Sequence, residues 1–480
     1  QPSYTLDFGL TSEVQCPLNQ VSIGNNLLRR CFDNNYFHVQ YCNMGFQPAE
    51  DAYITVELDS LLIVQEASLP FTQNGQVLNF QLGDLPPFTC DKFWVRVKVS
   101  CDAQQGQTLC AEATIFPHDP CGEAAWDGPF VEARATCEGD SVRLEVRNIG
   151  QQDMTEMLEF IVVEDIIMRT SKPFTLPTGQ ATGIKVPANG STWRIQSKQV
   201  SSYPFFDLPM AFSEGCGGLN TPGLPIAFAL NDDPLFQDEE CSMVVGSFDP
   251  NDKSAVPTGY GAAHTIQANT DLEYKIRFQN TGTDTAFTVV IEDRLSPLLD
   301  WATFEAGASS HSYRADMLPG GLIRFVFKNI LLPDSNVNPA ASQGFVKFRV
   351  AQKRDLPDGT VIENKAAIFF DFNDPIVTNT THHTIGKPYV TVSSHQPFLP
   401  DVQVEVKPNP FQDRATIEVR GHALREGWLM LYNAQGQVVS QRAFEGNQCT
   451  LLRQGLPTGT YFFFITDAGT PVSSGQVQVK

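Results

Sequence analysis

Apolar and polar residues alternate over short runs along nearly the whole chain, the two-residue period of a half-buried strand. Runs of this kind cover 37–41, 52–58, 76–81, 93–99 and 113–116. Near the end, Val402, Val404 and Val406 alternate with polar neighbours until Pro408 and Pro410 stop the run. Proline cannot donate to a strand ladder. Leu429 and Leu431, then Val438 and Val439, flank Asn433-Ala434-Gln435-Gly436, a hairpin turn with glycine where a positive φ is expected. Pro457-Thr458-Gly459 turns the chain into 461–465, and 476–480 alternates to the last residue. Gly, Pro, Asn and Asp bound the runs, and long amphipathic helical patterns are nearly absent. The pattern predicts an all-β protein of tandem antiparallel sandwiches.

An internal repeat divides the chain. Three times a strand-like run ends in Asn-x-Gly and a second run follows: Asn43 and Gly45, Asn148 and Gly150, Asn280 and Gly282. Asn tolerates left-handed backbone and Gly adopts it freely, so each tripeptide suits a tight reversal. The repeats lie roughly one sandwich domain apart. They predict Ig-like β-sandwiches at 1–120, 121–245 and 246–387, a linker at 388–401 and a terminal sandwich at 402–480. Within the second, 202–240 is rich in Pro, Gly and Phe and predicts loops. A length of 480 residues requires several cores.

Composition narrows the class. The net charge is −21. That argues against nucleic acid and anionic membrane surfaces as partners. No apolar run reaches the length of a membrane span. The chain begins at Gln1 with no charged-then-apolar leader, which reads as a secreted protein after processing. Of the eleven cysteines, ten lie in the N-terminal half: Cys16, Cys31, Cys42, Cys90, Cys101, Cys110, Cys121, Cys137, Cys216 and Cys241. With no Cys-x-x-Cys pair, disulfides are expected rather than zinc or redox sites. Six would fall in the first domain and four in the second. Sequence does not give the pairing; a Cys101–Cys110 staple and a Cys121–Cys241 clasp are the guesses. Cys449 should be free and buried.

Two stretches carry a resemblance. Pro408-Asn409-Pro410-Phe411, then Leu431-Tyr432-Asn433 with Gly436, then Leu456-Pro457 with Gly459 and Tyr461, and a chain end at Lys480, resemble the C-terminal sorting domain of the type IX secretion system of Bacteroidota. The resemblance implies export to the cell surface or medium, with the type IX machinery as partner, and says nothing of activity. The segment 246–387 resembles an Ig-like repeat module of Bacteroidota surface proteins. It does so through Asp249-Pro250-Asn251-Asp252-Lys253, Tyr274, Phe278-Gln279-Asn280-Thr281-Gly282, Asp284-Thr285-Ala286, and Phe369, Asp371-Phe372-Asn373 and Pro375-Ile376.

Catalytic motifs are missing. There is no His-Glu-x-x-His, Gly-x-Ser-x-Gly or phosphate-binding loop. Cys216 in Glu-Gly-Cys-Gly-Gly reads as a disulfide partner, not a nucleophile. His382 and His383 are neighbours on a strand and face opposite sides, so they cannot share a metal. Asp249/Asn251/Asp252 and Asp371/Asn373/Asp374 offer the oxygens calcium takes, but lack the glycine and distal glutamate of an EF-hand. Asx-turns account for them, so no cofactor is expected and calcium is the alternative. Asp-Ser/Thr-apolar tripeptides make Ser60, Ser141 and Thr285 candidate O-glycan acceptors. The run Tyr4-Thr5-Leu6-Asp7-Phe8-Gly9-Leu10 alternates and could pair with its own domain or with a neighbouring subunit. The expectation is a non-catalytic, adhesive or structural surface protein, either an adhesin-like module or a subunit of an extracellular fibre. A secreted hydrolase or a carbohydrate-binding accessory is the alternative.

Overall fold

The computed structural model describes residues 16–118, 126–204, 207–231, 234–246, 251–339, 341–386, 402–425, 427–433, 438–453, 455–467 and 470–480. Its sheets are built from short strands, most of the alternating kind, and the only helices among the described residues are two single 3-10 turns, Pro225–Ala227 and Trp301–Thr303.

The first sandwich sets the sheet Asn19–Asn25, Asn35–Asn43, Thr89–Val99, Leu62–Ala67 against a six-stranded sheet. That second sheet runs Leu28–Arg29, Gln237–Val245, Thr108–Phe116, Ala49–Leu58, Val77–Leu85, Thr72–Asn74. Ile23, Phe37, Val39, Ile54, Val56, Phe80, Val95 and Val97 fill the space between them. The inward positions are alternate residues of each strand, as the pattern requires.

One expected boundary is overturned. The sequence pattern places Gln237–Val245 in the second domain, yet it pairs antiparallel with Thr108–Phe116, Cys241 opposite Cys110. The second sandwich, from Val131 to Ser213, is therefore inserted between two adjacent strands of the first. Strand pairing between residues this far apart leaves no local mark in a sequence. The even division of cysteines, six and four, was no guide to the boundary.

The disulfides are corrected with it. The pairs are Cys31–Cys101, Cys42–Cys90, Cys110–Cys241 and Cys137–Cys216. Neither the Cys101–Cys110 staple nor the Cys121–Cys241 clasp forms, because Cys110 and Cys241 face each other across one ladder. Cys16 is disulfide-bonded too. Cys121 lies outside the described residues. Cys449 is free and buried, as expected.

The second sandwich packs Val131–Cys137, Ser141–Asn148, Ala181–Pro187 on Ile167–Phe174, Leu158–Glu164, Trp193–Ser197, Met210–Ser213. The last of these falls in the stretch expected to be loops. The third packs Asp252–Val256, Leu272–Gln279, Gln343–Val350, Glu305–Ser309 on Arg314–Leu318, Leu322–Leu332, Ala286–Arg294, Ala366–Phe370, Ile376–Val377, with a small sheet of Thr265–Ile266, Thr381–Ile385 and Val361–Asn364 beside them. Its core is phenylalanine-rich: Phe278, Phe325, Phe327 and Phe348 are fully buried. These three sandwiches form one compact unit, and the tail from Val390 is a second.

The Asn-x-Gly repeat has a different physical basis from the one expected. None of Asn43, Asn148, Asn280, Gly45, Gly150 or Gly282 has a positive φ. Instead each asparagine is a buried plug. Asn148 Oδ1 accepts from Phe130 N and Gly150 N, while Nδ2 donates to Gln152 O and Leu176 O. Asn43 makes the same four bonds with Leu18, Gly45, Gln47 and Leu85. Asn280 repeats three of them with Gly282, Asp284 and Leu332. Two of the glycines, Gly45 and Gly150, are there for close approach. A Cβ on Gly45 would lie 2.2 Å from Cys16 O, and one on Gly150 2.2 Å from Gly128 O. Asn148→Ala leaves four backbone groups unsatisfied and is expected to destabilise the second sandwich by about 3 kcal/mol, read as an earlier urea transition.

The tail is a small sandwich of Gln403–Lys407, Arg414–Arg420, Gln448–Leu452 on Val438–Phe444, Gly427–Tyr432, Gly459–Asp467, Thr470–Val479. The linker 388–401 lies outside the described residues, as does the run 4–10.

Candidate functional site

In the third sandwich, Leu272–Gln279 and Gln343–Val350 send Tyr274, Ile276, Phe278 and Phe348 into the core. The alternate positions Glu273, Lys275, Arg277, Lys347 and Arg349 point the other way. Such a face reads as solvent-exposed, but the first sandwich covers it. Strand Gln237–Val245 presents Asp238, Glu240 and Ser242 on its matching alternate positions.

The result is a joint made of desolvated charge. Lys347, 1 % exposed, donates to Ile23 O at 2.8 Å and to the Asp238 carboxylate at 3.0 and 3.1 Å, and pairs with Glu273 at 2.9 Å. Asp238 also accepts from Ile23 N at 2.7 Å. Lys275 pairs with Glu240 and donates to Asn25 Oδ1 and Ser242 Oγ, both at 3.2 Å. Arg277 grips Asp252 with two nitrogens and donates to Asn26 O at 3.1 Å. Gly24 makes room for Phe345, whose ring also meets His38 at 5.6 Å. Burial opposes the Lys347 charge, yet the carboxylates of Asp238, Glu273 and Glu240 hold its ammonium above the ordinary range. Burial lowers Lys275 despite Glu240. A cleft along the joint is lined by Gln20, Ser22, Gln40, Glu305 and Arg349 as well as Asp238 and Lys347. Asp238 and Glu273 in it are committed to cations.

A second feature is apolar. Around the turn after Ala366–Phe370, Phe372 is fully exposed, and Phe287, Leu331 and Val377 are each more than half exposed. Asp371 fixes this turn by accepting from Phe287 N and Thr288 N.

Several side chains of the oxygen-rich runs have protein partners. Asp371 caps a strand, Asp252 holds Arg277, and Asn251 Oδ1 accepts from Gln279 N. Asp249 lies outside the described residues. Among the described residues the one His/Cys/Asp/Glu cluster with metal-ligand spacing is Cys110, Glu239 and Cys241, and its two sulfurs are in a disulfide. His383 is buried against Pro257 O, while His382 meets His264 edge to face.

Of the glycan candidates, Ser60 is exposed, Thr285 half-buried, and Ser141 buried with its hydroxyl on Asp140. We propose Ser60 and Thr285 as the accessible acceptors; the mass of the native secreted chain is expected to exceed the polypeptide mass, and a bare mass refutes it.

Glu112 stands directly between Glu57 and Glu239 across three strands. Burial, with Glu57 and Asp207 adding to it, pushes its carboxyl up to about 7. The folded chain thus keeps a proton that the unfolded chain releases near pH 4.5, and stability falls as pH rises between the two. Glu112→Gln is expected to melt higher than the native chain at pH 8 and to match it at pH 4.

In the tail, the Pro408-Asn409-Pro410-Phe411 motif stitches the first strand to the last. Asn409 Oδ1 accepts from Gln478 N at 2.8 Å, Phe411 N donates to Gln478 O at 2.9 Å, and Lys480 N donates to Phe411 O at 2.8 Å. Phe411 is 1 % exposed in the tail core. Tyr461 packs there with its hydroxyl on Pro457 O, two residues before Gly459 opens its strand. Gly436 lies outside the described residues.

With this geometry in view, the tail has a defined class. Residues 405–480 match the secretion system C-terminal sorting domain. They make this chain cargo of the type IX secretion system, exported to the cell surface or the medium. Residues 249–384 match a domain of unknown function (DUF7619). No curated protein matches the chain. Among solved structures it is loosely similar to the major pilin subunit BcpA of Bacillus cereus, at 11 % identity over 68 % of this chain and 91 % of that one, with a TM-score of 0.21. The collagen adhesin CNA of Staphylococcus aureus gives 8 %, 77 % and 92 %, with a TM-score of 0.21. The major pilin SpaA of Corynebacterium diphtheriae gives 10 %, 67 % and 93 %, with a TM-score of 0.22. No helix among the described residues is long and apolar enough to cross a membrane.

Proposed function

We propose that this protein is a non-catalytic structural or adhesive component of the exported surface, with its own copies as the first partner to test. The observation that carries the reading is the group of exposed apolar side chains Phe287, Leu331, Phe372 and Val377 near one turn of the third sandwich. Asp371 holds the Phe372 turn against Phe287, and Ala286 pairs with Leu332, so exposed apolar residues gather here, as they do at contact sites. The charged joint supports it, because two sandwiches welded through buried ion pairs transmit load without hinging.

Negative-stain microscopy and light scattering of the native secreted material test this. Regular filaments that Phe287→Ser/Phe372→Ser disperses are the expected result for a fibre subunit. Monodisperse particles that keep binding to cell surfaces would leave an adhesin-like module. Monodisperse particles that bind nothing would refute both.

A further inference from the structure

Lys253 and Asp293 are both wholly buried in the core of the third sandwich, and the Lys253 Nζ is in contact with Asp293 Oδ2. Lys253 comes from the first strand of one sheet, Asp293 from the end of Ala286–Arg294 in the facing sheet. Two rings enclose the amine: Tyr274 at 4.4 Å and Phe348 at 5.0 Å. Asn364, 3 % exposed, ends the strand Val361–Asn364 and lies two residues before Ala366, the direct cross-strand partner of Asp293. Its side-chain amide lies beside the Asp293 carboxyl and the Tyr274 hydroxyl. Yet neither Asn364 Nδ2 nor Oδ1 completes a hydrogen bond, and Asp293 Oδ1 and the Tyr274 hydroxyl are unpaired as well. Buried carboxamides are almost always satisfied. A lysine, a carboxyl and an unsatisfied carboxamide packed in an aromatic cage form a reactive set.

We propose that Lys253 and Asn364 are joined by a covalent side-chain amide that forms within the folded third sandwich. The Lys253 ammonium gives a proton to Asp293, and the freed Nζ lone pair attacks Asn364 Cγ. Asp293, now the acid, protonates the departing Nδ2. The Cγ–Nδ2 bond breaks, the Nζ–Cγ bond stays, and ammonia leaves, carrying away the remaining proton as ammonium. One carbon–nitrogen bond replaces another and nothing is oxidised or reduced. Burial favours this, since it lowers the Lys253 ammonium and raises the Asp293 carboxyl toward their neutral forms. The other buried lysine–carboxylate–asparagine set differs. Asn25 Oδ1 already accepts from Lys275 and Ser242, and charged neighbours surround it.

The bond would tie the first strand of the sandwich to one of its last. Tension along the chain would then bypass the hydrogen-bonded ladders between residues 253 and 364. It goes beyond the adhesive reading and stands apart from it, since microscopy tests one and peptide mass the other.

The test is mass spectrometry of the full chain, produced in a host without the type IX machinery, reduced, alkylated and digested. The expected result is a branched peptide joining Lys253 to Asn364, one ammonia lighter than its two parts, in nearly all molecules. It should vanish in Asn364→Ala and in Asp293→Asn. Linear peptides with free Lys253 and intact Asn364 in the native digest would overturn the proposal. So would a branch to Asp293, one water lighter. A branch that persists in Asp293→Asn would overturn the role of Asp293. The native digest decides even where a variant fails to fold.

Discussion

Replacing Lys347 with methionine is expected to lower the stability of the region holding the first and third sandwiches by about 3–5 kcal/mol. The side chain is not at the surface, where an ion pair contributes little. It sits 1 % exposed among Asp238, Glu240 and Glu273, within 4 Å of all three. Methionine fills the same space but leaves Asp238 and Glu273 desolvated with Arg349, at 3.7 and 3.9 Å, to face them. Lys275 is already engaged by Glu240 and cannot serve Asp238 as well. Adding Asp238→Asn to Lys347→Met should recover part of the loss, because one stranded charge is removed. Calorimetry at neutral pH measures both. Added salt should not rescue the single variant, since screening acts weakly on buried pairs. A Lys347→Met chain that melts with the native one would mean that the joint carries no net energy.

Opening the Cys110–Cys241 bond, by replacing both residues with serine, is expected to cost about 5 kcal/mol on chain-entropy grounds. The bond closes a loop with a sequence separation of 131, which contains the entire inserted sandwich. In the unfolded chain Cys137–Cys216 already shortens that loop from within, and the bond removes much of the entropy that is left. The change should also reach beyond its own strand. Gln237–Val245 carries Asp238 and Glu240, so loosening it frees the acid side of the joint. Hydrogen exchange is expected to rise in Asn19–Asn25 and Gln343–Val350 as well as in Gln237–Val245. Replacing Cys137 and Cys216, with a separation of 79, should loosen the second sandwich and leave those strands protected. Equal exchange in the two variants would sever the link between this disulfide and the joint.

Much of this was readable in the chain itself. Strand positions such as 93–99 and 113–116 fall inside Thr89–Val99 and Thr108–Phe116, because a period of two needs no partner to be recognised. The sorting tail was readable because its marks are local: Asn409 and Phe411 bind the last strand from a fixed distance before the chain end. The Asn-x-Gly repeat is visible in the sequence, but its structural basis is not. Its spacing is a sequence property, whereas the four bonds of Asn148 come from three separate segments. No local pattern marks Asn364, since only packing places it beside Asp293.

The all-β class, the oxidised N-terminal half and the export address are legible in the chain alone. Each depends on periodicity, composition or a short motif. Tertiary structure alone decided that the second sandwich interrupts the first, which cysteines meet, and that Lys275, Arg277, Lys347 and Arg349 face protein instead of water. An alternating strand fixes which residues share a face, but the side chains on its polar face look the same whether water or a second sandwich covers them. The partner acids Asp238 and Glu240 lie far off in the chain, and only the fold brings them opposite.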